Sequence, residues 1–484
     1  MSERRPNIVY ILNDHQAFYG HTQAKRPVFE SFARQGVEFE NAYTVCPLCG
    51  PARRSMLTGL FPHNHGEKQN DDDHPFDKEL YLDILAQGGY DCRYVGKWHA
   101  GLGTALDHGC TGFNYPSYNN PYTKAEYRAY LEELGLDEPE VFIEHYFWEK
   151  DQGPDKAGQM LKQDGNWCNE HASGVMLAPK EAHESFFLAH LAKKQLRELA
   201  GSDKPFHLRL DFWGPHQPYF PTRDFAGLYR AQDISLPTSL YENVYENDKP
   251  EIYRVEHNKG LHDGAYNILY PSALAPDQWR QILARCYAQI TQVDAAAGIV
   301  LDALDELGLA QNTLVIMTTD HGDAVACHGG HFDKASYMPE EMIRIPMAIR
   351  YPGVVSAGER RADFVSNLDA GPTILDAAGL DYPQPVDGHS LLDIFRTGKP
   401  WREYIVCETH GHWGNHIGRA LITRDYKLIF NENQVDELYD LRRDPWELRN
   451  LAVRERYAPV YNEMLALLRT WGEETGDSAL LAVM

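Results

Sequence analysis

Two apolar runs, one near the start of the chain and one in its second half, each lead into an aspartate. Residues 8–12 read IVYIL and precede Asp14, and residues 313–317 read TLVIM and precede Asp320. Short runs of this kind, rich in β-branched residues and bounded by polar ones, are typical of strands buried on both faces, as in a parallel sheet. Ligands bind at the carboxyl ends of such strands. We therefore expect Asp14 and Asp320 to lie together at one edge of a sheet.

Helix-like segments precede several of the strand-like runs. The pairs of helix and strand are 80–87 with 91–95, 187–199 with 206–212, and 279–307 with 313–317. The last helix keeps apolar residues at helical spacing and stops at Gly308. Helix followed by strand, repeated along the chain, indicates βαβ units and thus an α/β fold.

The length of 484 residues exceeds what one core holds, since single cores stop growing at roughly 250–300 residues. After about residue 400 the pattern changes to short strand-like runs and a closing helix at 460–471. We expect residues 1–395 to form a catalytic α/β domain and residues 396–484 a smaller C-terminal α+β domain. Residues 115–179, rich in aromatic and acidic side chains, are too long for a plain connection and predict an insertion on the substrate side.

Composition excludes several classes of partner. The chain has 70 acidic and 46 basic residues, a formal net charge of -24. Such a surface repels polyanions, so nucleic acid is not an expected partner. No apolar stretch approaches the ~20 residues that span a bilayer, so no membrane-spanning segment is expected. The amino-terminal apolar run is too short for a secretory signal, which predicts a cytoplasmic protein.

The segment 49–59, CGPARRSMLTG, carries the most specific chemistry in the sequence. Cys46 and Cys49 form a C-x-x-C pair, which also occurs in redox sites and in halves of zinc sites. The sequence has no second C-x-x-C to complete a zinc knuckle, and Pro51 and Arg53 have no role in either alternative. If the segment begins a helix, Arg53 lies one turn beyond Cys49, so both side chains can face one anionic group.

The same segment matches C-x-P-x-R-x-x-x-x-T-G, the signature of sulfatases whose cysteine is converted to formylglycine by a separate enzyme. Further segments resemble this family's motifs in the family's order: GYDCRYVGKWH (89–99), PHQP (215–218) and TDHGD (319–323), with Lys334 beyond them. The chain thus resembles the formylglycine-dependent sulfatases of the alkaline-phosphatase-like superfamily. In motif it is most similar to choline sulfatases and phosphonate monoester hydrolases. The resemblance implies a large mixed, mostly parallel sheet sandwiched by helices, with a smaller C-terminal α+β domain.

Two segments depart from the family pattern. Many sulfatases have paired aspartates where this chain has Asp14 followed by His15. The stretch 327–334 is about one residue longer than the common version. The first departure leaves open whether His15 is a ligand, and the second leaves the register of His328 and His331 open.

The resemblance implies two cofactors. Cys49 would be oxidised to formylglycine by a formylglycine-generating enzyme or an equivalent maturase. Asp14, Asp320 and His321 would bind a divalent metal together with the modified residue 49. Oxygen-rich ligation favours calcium, whereas an imidazole ligand also suits manganese.

A sulfate monoester resists hydrolysis because its charge repels nucleophiles and its leaving alkoxide is basic, so a site must supply positive charge and a proton. By resemblance, Lys97 and Lys334 supply the charge, and Arg53 holds the formylglycine hydrate and the metal shell in place. His216 protonates the leaving oxygen, and His99 accepts a proton from the hydrated aldehyde. Weaker candidates for the pocket wall are Asn70, His15, His331, His410 and His412. Aromatic residues of the insertion, such as Tyr118, can either stack on a sugar or aryl group of the substrate or form the hydrophobic core of a lid.

The expected function is therefore hydrolysis of a sulfate monoester, in a small molecule or a saccharide, by a formylglycine nucleophile and a divalent metal. Phosphonate monoester or phosphodiester hydrolysis by the same machinery is the nearest alternative. An alternative of another class is a protein that keeps the fold but is never modified and only binds its ligand. The sequence does not indicate the alcohol portion of the substrate or the oligomeric state.

Overall fold

The protein is described here from a computed structural model, which covers residues 5–18, 23–146, 156–162, 172–244, 248–258, 274–396, 401–412 and 414–484. The strands are β1 (Asn7–Asp14), β2 (Val37–Tyr43), β3 (Asp91–Lys97), β4 (Cys110–Tyr115), β5 (Glu140–Tyr146), β6 (Met160–Lys162), β7 (Ala172–Met176), β8 (Phe206–Pro215), β9 (Thr313–Thr319), β10 (Ala348–Arg350), β11 (Glu359–Ser366), β12 (Ile405–Thr409), β13 (Gly418–Ile422), β14 (Tyr426–Asn431) and β15 (Glu437–Asp440). The α-helices are α1 (Pro27–Arg34), α2 (Cys49–Thr58), α3 (Pro62–His65), α4 (Tyr81–Gln87), α5 (Ala125–Leu134), α6 (Glu184–Ala200), α7 (Arg223–Ala226), α8 (Glu251–Asn258), α9 (Pro276–Glu306), α10 (Glu340–Ile343), α11 (Ala370–Ala378), α12 (Asp393–Arg396), α13 (Ala458–Thr475) and α14 (Ser478–Val483).

A central sheet of eight strands organises the molecule, in the order β11-β2-β10-β9-β1-β8-β3-β4. Strand β10 runs antiparallel to both of its neighbours, β9 and β2. The other pairings in this sheet are parallel. The predicted mixed, mostly parallel α/β sheet is confirmed.

Helices cover both faces of this sheet, and strand β1 shows how. Its side chains alternate, so Ile8, Tyr10 and Leu12 join one hydrophobic cluster, whereas Val9 and Ile11 join the other. Helices α2, α4 and α11 contribute to the first cluster, and α1, α6 and α9 to the second. Each fully buried Ile, Leu or Val side chain contributes roughly 1.5–3 kcal/mol relative to an exposed one. Burial on both faces explains why these strands read as continuous apolar runs.

A smaller antiparallel sheet follows in the order β12-β13-β14-β15, with α13 against β14. Its residues Val406, Leu421 and Leu428 belong to the same hydrophobic cluster as one face of the central sheet. This arrangement confirms a smaller C-terminal antiparallel unit and shows that it shares the core of the main one. The boundary at residues 395 and 396 stays a prediction.

The predicted insertion contains α5 and a three-stranded antiparallel sheet in the order β6-β5-β7. Its residues Tyr122, Tyr127 and Tyr130 are buried in the hydrophobic cluster of α6, so they fill a core. Residues 147–155 and 163–171 of the insertion lie outside the described residues. Within the part of the chain that is described, no helix combines the length and the apolar character needed to cross a membrane.

Candidate active site

The carboxyl ends of four adjacent parallel strands, β9, β1, β8 and β3, form the base of the candidate site. Asp320 follows β9, Asp14 ends β1, His216 follows β8 and Lys97 ends β3. The two aspartates therefore lie on neighbouring strands, as the apolar runs predict. All four side chains are buried.

Cys49 enters the site as the first residue of α2 and is fully buried. Pro51 lies in the first turn, where its missing N–H removes no helical hydrogen bond. The helix ends at Gly59, whose φ of 70° is the left-handed conformation that closes many helices. Arg53 follows Cys49 by one turn and is also fully buried. The helix on which the sequence argument for Cys49 and Arg53 depends is therefore present.

Cys49 shares a buried group of potential metal ligands with Asp14, Asp320 and His321, whose ligand atoms all lie within 4.8 Å of one another. The Cys49 Sγ atom is 3.0 Å from Nε2 of His321 and 3.7 Å from Oδ1 of Asp14. Nδ1 of His321 donates a hydrogen bond to the carbonyl of Gly322 at 2.8 Å. This bond leaves the Nε2 lone pair directed at the group, as a metal ligand requires. Two carboxylates and one imidazole fit a divalent cation.

Positive side chains keep both carboxylates of this group ionised. Burial favours the protonated form of Asp14, but Lys97 and Arg53 lower its pKa to about 2. The Lys97 ammonium donates a hydrogen bond directly to Asp14. Burial and the neighbouring Asp14 raise the pKa of Asp320, but Arg53, His321 and Lys97 together outweigh them and the net shift is downward. Both aspartates are therefore anionic ligands at neutral pH.

The thiol of Cys49 is not activated. Burial raises its pKa to about 12, although Lys334 and Lys97 act in the opposite direction. Burial likewise raises the pKa of Cys46, which is fully buried. Reactive redox cysteines are accessible and have lowered pKa values. The geometry thus disfavours the interpretation of Cys46 and Cys49 as a redox pair.

Arg53 contacts both aspartates of the group of potential metal ligands. Its Nε donates to Oδ2 of Asp320 at 2.9 Å, and its Nη1 donates to Oδ2 of Asp211 at 3.0 Å. Nη2 lies 3.7 Å from Oδ2 of Asp14. These carboxylates raise the pKa of Arg53 despite its burial. The guanidinium is thus a permanent charge between strand β8 and the carboxylates of Asp14 and Asp320.

Asp211 is a residue that sequence reasoning missed. It lies in β8, where His207, Arg209 and Asp211 alternate with Leu208 and Leu210. A strand with a polar stripe at period two, inside a sheet covered on both faces, places charge in the core. That alternation is the signal that could have identified Asp211.

Lys334 and His216 form a pair whose ammonium acts by its charge on Cys49. Lys334 Nζ is 2.8 Å from Nε2 of His216 and 3.2 Å from Oδ1 of Asp333. Nδ1 of His216 donates to the Gln217 carbonyl at 2.8 Å, so Nε2 accepts a hydrogen bond from the ammonium. Burial, Lys334 and Lys97 hold the pKa of His216 well below its ordinary value. At rest, therefore, the proton shared by this pair resides on Lys334.

His15 lies between these two groups. Its ring centroid is 4.7 Å from that of His321 and 4.6 Å from that of His216. Nδ1 is 3.6 Å from Asp333 and Nε2 is 3.7 Å from Asp323, and neither nitrogen has a hydrogen-bond partner among the described residues. Its ligand atom groups with those of His216 and Asp333, outside the four-residue group that contains Cys49. We interpret His15 as a wall residue on the Lys334 side.

His99 and Tyr118 close the site above β3. His99 Nε2 is 3.8 Å from Asp72, and the His99 and Tyr118 rings are 5.7 Å apart. The Tyr118 ring lies 4.9 Å from the Lys97 ammonium, and its hydroxyl lies 3.3 Å from Nδ1 of His216. Tyr118 thus brings the start of the predicted insertion, residues 115–179, to the site.

The weaker sequence candidates separate into two sets. Asn70 accepts a hydrogen bond from the amide of Gly50 at 2.9 Å, and His412 is in the field of Lys334, so both lie near the reacting groups. His331 instead contacts the carbonyls of His328 and Tyr253 through its two ring nitrogens. His410 lies 3.2 Å from Glu408 and 3.4 Å from Arg419. The structure thus does not bring His331 or His410 into the ligand group.

Two further buried groups combine acidic side chains with a histidine. They are His63, Glu408 and Asp477, and His328, Glu341 and Glu447. Each is already neutralised by a basic residue, because Arg419 lies 2.6 Å from Asp477 and Lys427 lies 2.7 Å from Glu447. Burial opposes protonation of His328, but its acidic neighbours raise its pKa to about 9. We interpret both groups as structural ion networks.

Comparison with known proteins agrees with this geometry. The sulfatase family model matches residues 6–380. The chain belongs to the sulfatase family. Residues 327–473 also match the model of the C-terminal region of N-sulphoglucosamine sulphohydrolase.

Relatives and solved structures cover almost the whole chain. An N-acetylglucosamine-6-O-sulfatase of Bacteroides thetaiotaomicron is 25% identical and covers 98% of this chain and 88% of its own. An arylsulfatase of Clostridium perfringens is 28% identical over 94% of this chain and 91% of its own. The crystal structure of a phosphonate monoester hydrolase of Agrobacterium radiobacter superposes with a TM-score of 0.77 at 20% identity, covering 97% of this chain and 96% of that one. The predicted family, its enzymatic character as a sulfuric ester hydrolase and the alkaline-phosphatase-like fold are confirmed.

Proposed function

We propose that this sulfatase hydrolyses a sulfate monoester with residue 49 as formylglycine and a divalent metal bound by Asp14, Asp320 and His321. The observation that carries the proposal is the buried group in which Cys49 meets two ionised aspartates and an imidazole, with Arg53 alongside. When they are present, the formylglycine hydrate supplies an oxygen nucleophile and the metal lowers the pKa of a bound hydroxyl. Side chains of this chain supply the positive charge and the proton transfers that the reaction also needs.

The state of Cys49 supports its modification. As a thiol it is buried and protonated, with a pKa of about 12, and so it is a poor nucleophile. Its place at the start of α2, beside the ligands, suits an oxygen function bound to the metal. Modification requires a partner, and a formylglycine-generating enzyme or equivalent maturase is the partner that we propose.

The ligand set leaves a choice of metal. The carboxylates of Asp14 and Asp320 are hard oxygen ligands, which favour calcium. The neutral imidazole of His321 presents Nε2 to the group, and an imidazole also suits manganese. We propose calcium as the first candidate and manganese as the alternative.

Three side-chain cations make the site suitable for an anionic ester. Arg53 and Lys97 contact the aspartates, and Lys334 lies on the opposite side beside His216. Both lysines act on residue 49 by their charge. Fixed charges in a site without water stabilise the charge that develops in the transition state. A sulfate group placed between Lys97 and Lys334 would meet positive charge from both sides.

The Lys334 and His216 pair is placed to protonate the leaving oxygen. One proton lies between Lys334 Nζ and His216 Nε2, which are 2.8 Å apart. A departing alkoxide at this pair takes that proton, which Lys334 passes through Nε2 of His216, and the pair is left as a neutral amine and a neutral imidazole. His99, at the end of β3, is the base that we propose for the later removal of a proton from residue 49. Burial and Lys97 hold the pKa of His99 well below its ordinary value, so it is neutral and able to accept a proton.

The names of relatives support a sulfated saccharide or an aryl sulfate as substrate, since one acts on N-acetylglucosamine 6-O-sulfate and another is an arylsulfatase. The alternative is a phosphonate monoester, because an enzyme of that name shares the fold. The test compares kcat/KM for 4-nitrophenyl sulfate with kcat/KM for a 4-nitrophenyl phosphonate monoester, using metal-loaded enzyme. We expect the sulfate to be the better substrate. A higher value for the phosphonate ester would replace the proposed function by the alternative.

A further inference from the structure

A row of alternating charges runs through the sheet beneath the site. Arg209 and Asp211 are fully buried in β8, and Arg209 donates two hydrogen bonds of 2.8 Å to the two carboxylate oxygens of Asp211. Asp211 also accepts a hydrogen bond from Nη1 of Arg53 at 3.0 Å. Arg53 continues to Asp320 at 2.9 Å. The order of charges is therefore positive, negative, positive and negative, ending at a proposed metal ligand.

Aromatic rings fix the far end of this row. The guanidinium of Arg209 lies 5.0 Å from the ring centroid of Tyr10 and 5.2 Å from that of Tyr94. Its Nη1 is 3.3 Å from the hydroxyl of Tyr81. Guanidinium groups stack favourably on aromatic faces. Arg209 is thus held in place independently of the site, and it can hold Asp211 in turn.

Asp211 has a second connection to the site. The Tyr94 hydroxyl lies 2.7 Å from Oδ2 of Asp211 and 3.0 Å from the carbonyl of Lys97. Nη1 of Arg53 lies 3.3 Å from the same carbonyl. Asp211, Tyr94 and Arg53 therefore surround the main chain that presents the Lys97 side chain. The charge of Asp211 also separates two buried guanidinium groups that would otherwise repel each other.

We propose that Asp211 is a positioning residue for hydrolysis, which keeps the Arg53 guanidinium between β8 and the carboxylates of Asp14 and Asp320 and fixes the main chain of Lys97 without touching the substrate. The inference rests on the proposed function, because it takes Arg53 and Lys97 to act on the sulfate group.

The test begins with Asp211→Asn, which keeps the shape of the side chain and removes its charge. Losing one charge-assisted hydrogen bond to Arg53 is expected to lower kcat by about 10- to 100-fold, with a much smaller change in KM. Calorimetric titration with calcium and with manganese gives a readout that does not depend on the substrate. We expect the variant to bind either metal about 10-fold more weakly, because Arg53 no longer faces the negative charge of residue 211 and pairs more closely with the ligand carboxylates.

Two further variants separate positioning from stability. The double variant Arg209→Met, Asp211→Asn removes both charges of one pair, so the unfolding temperature is expected to return toward that of the wild type while kcat stays low. Asp477→Asn is the matched control, because it removes the charge of a carboxylate that accepts a hydrogen bond from another buried arginine, Arg419, at 2.6 Å. We expect this control to lower the unfolding temperature and to leave kcat unchanged.

Two results would overturn the inference: wild-type kcat and metal affinity in Asp211→Asn, or recovery of kcat together with the unfolding temperature in the double variant. Failure of the proposed function gives a different result. In that case the wild type with an aldehyde at residue 49 does not cleave sulfate esters, while the metal affinities still report whether Asp211 positions Arg53.

Discussion

Replacing His216 tests the assignment of the proton donor, and the structure sets the size of the expected effect. His216 accepts a hydrogen bond from Lys334 at 2.8 Å and is buried. General acid catalysis contributes ~10²–10⁴-fold to a rate. Lys334 keeps its contact to Asp333 at 3.2 Å after the change. Because this contact holds the ammonium at the site, we expect Lys334 to supply part of the proton donation without His216. We therefore expect His216→Ala to lower kcat for an alkyl sulfate by about 100-fold, toward the lower end of that range.

The assay compares leaving groups. A nitrophenolate is weakly basic and departs without a proton, so His216→Ala is expected to lower kcat for 4-nitrophenyl sulfate by less than about 10-fold. His216→Gln is a second variant, which can still accept the hydrogen bond from Lys334 but cannot carry a proton. It should remain slow toward the alkyl sulfate. Tyr118→Phe removes only a hydroxyl that lies 3.3 Å from Nδ1 of His216, and it serves as the control with near-normal rates for both substrates.

Equal losses for both substrates in His216→Ala would refute the reasoning, because they would show that the imidazole holds Lys334 or the substrate in place and does not take part in proton transfer. Full activity of His216→Gln toward the alkyl sulfate would have the same meaning.

The other predictions concern the nucleophile, the metal and the stability of the fold. Cys49→Ala should abolish turnover and keep the fold, whereas Cys46→Ala should keep substantial activity; equal loss in both would reopen the redox pair. Chelation should remove activity, and Asp320→Asn should lower the metal content below one equivalent per chain, as measured by elemental analysis. Normal content and rate in that variant would contradict the ligand assignment. The pKa of His328 is raised to about 9 in the folded protein. Its protonated imidazole therefore stabilises the fold fully below its ordinary pKa, and this stabilisation is lost as the pH rises through about 9. The difference in unfolding free energy between the wild type and His328→Gln should therefore fall by about 3 kcal/mol between pH 6 and pH 10. A difference that does not change with pH would contradict this.

The sequence indicated the sheet and the centre of the site because both have local signals. Strands β1 and β9 are continuous apolar runs because they are buried on both faces. The repeated order of helix and then strand along the chain indicates that the sheet is mostly parallel. Asp14 and Asp320 stand at the ends of those runs, so their meeting follows from the strand pairing. Cys49 and Arg53 share a helix face, which their spacing predicts.

The rest depends on contacts between distant segments. Nothing in the spacing of Asp211 indicates that it meets Arg53, 158 positions away in the chain. The same holds for Lys334 and His216, which are brought together from a loop and a strand end. His331 illustrates the converse, because its place in a motif-rich loop suggested the pocket, whereas its ring nitrogens contact backbone carbonyls. Side chains of the same type near the same motif differ in role according to tertiary packing.

The mass of the tryptic peptide containing residues 35–53 tests the central claim most directly. Cleavage at Arg34 and Arg53 gives a peptide that carries both Cys46 and Cys49. After treatment with an alkylating reagent, active enzyme is predicted to yield this peptide with one alkyl group, on Cys46, and an aldehyde at residue 49 that reacts with a hydrazine probe. Active enzyme whose peptide carries two alkyl groups and no aldehyde would contradict the account, because the hydrolysis would then proceed without formylglycine.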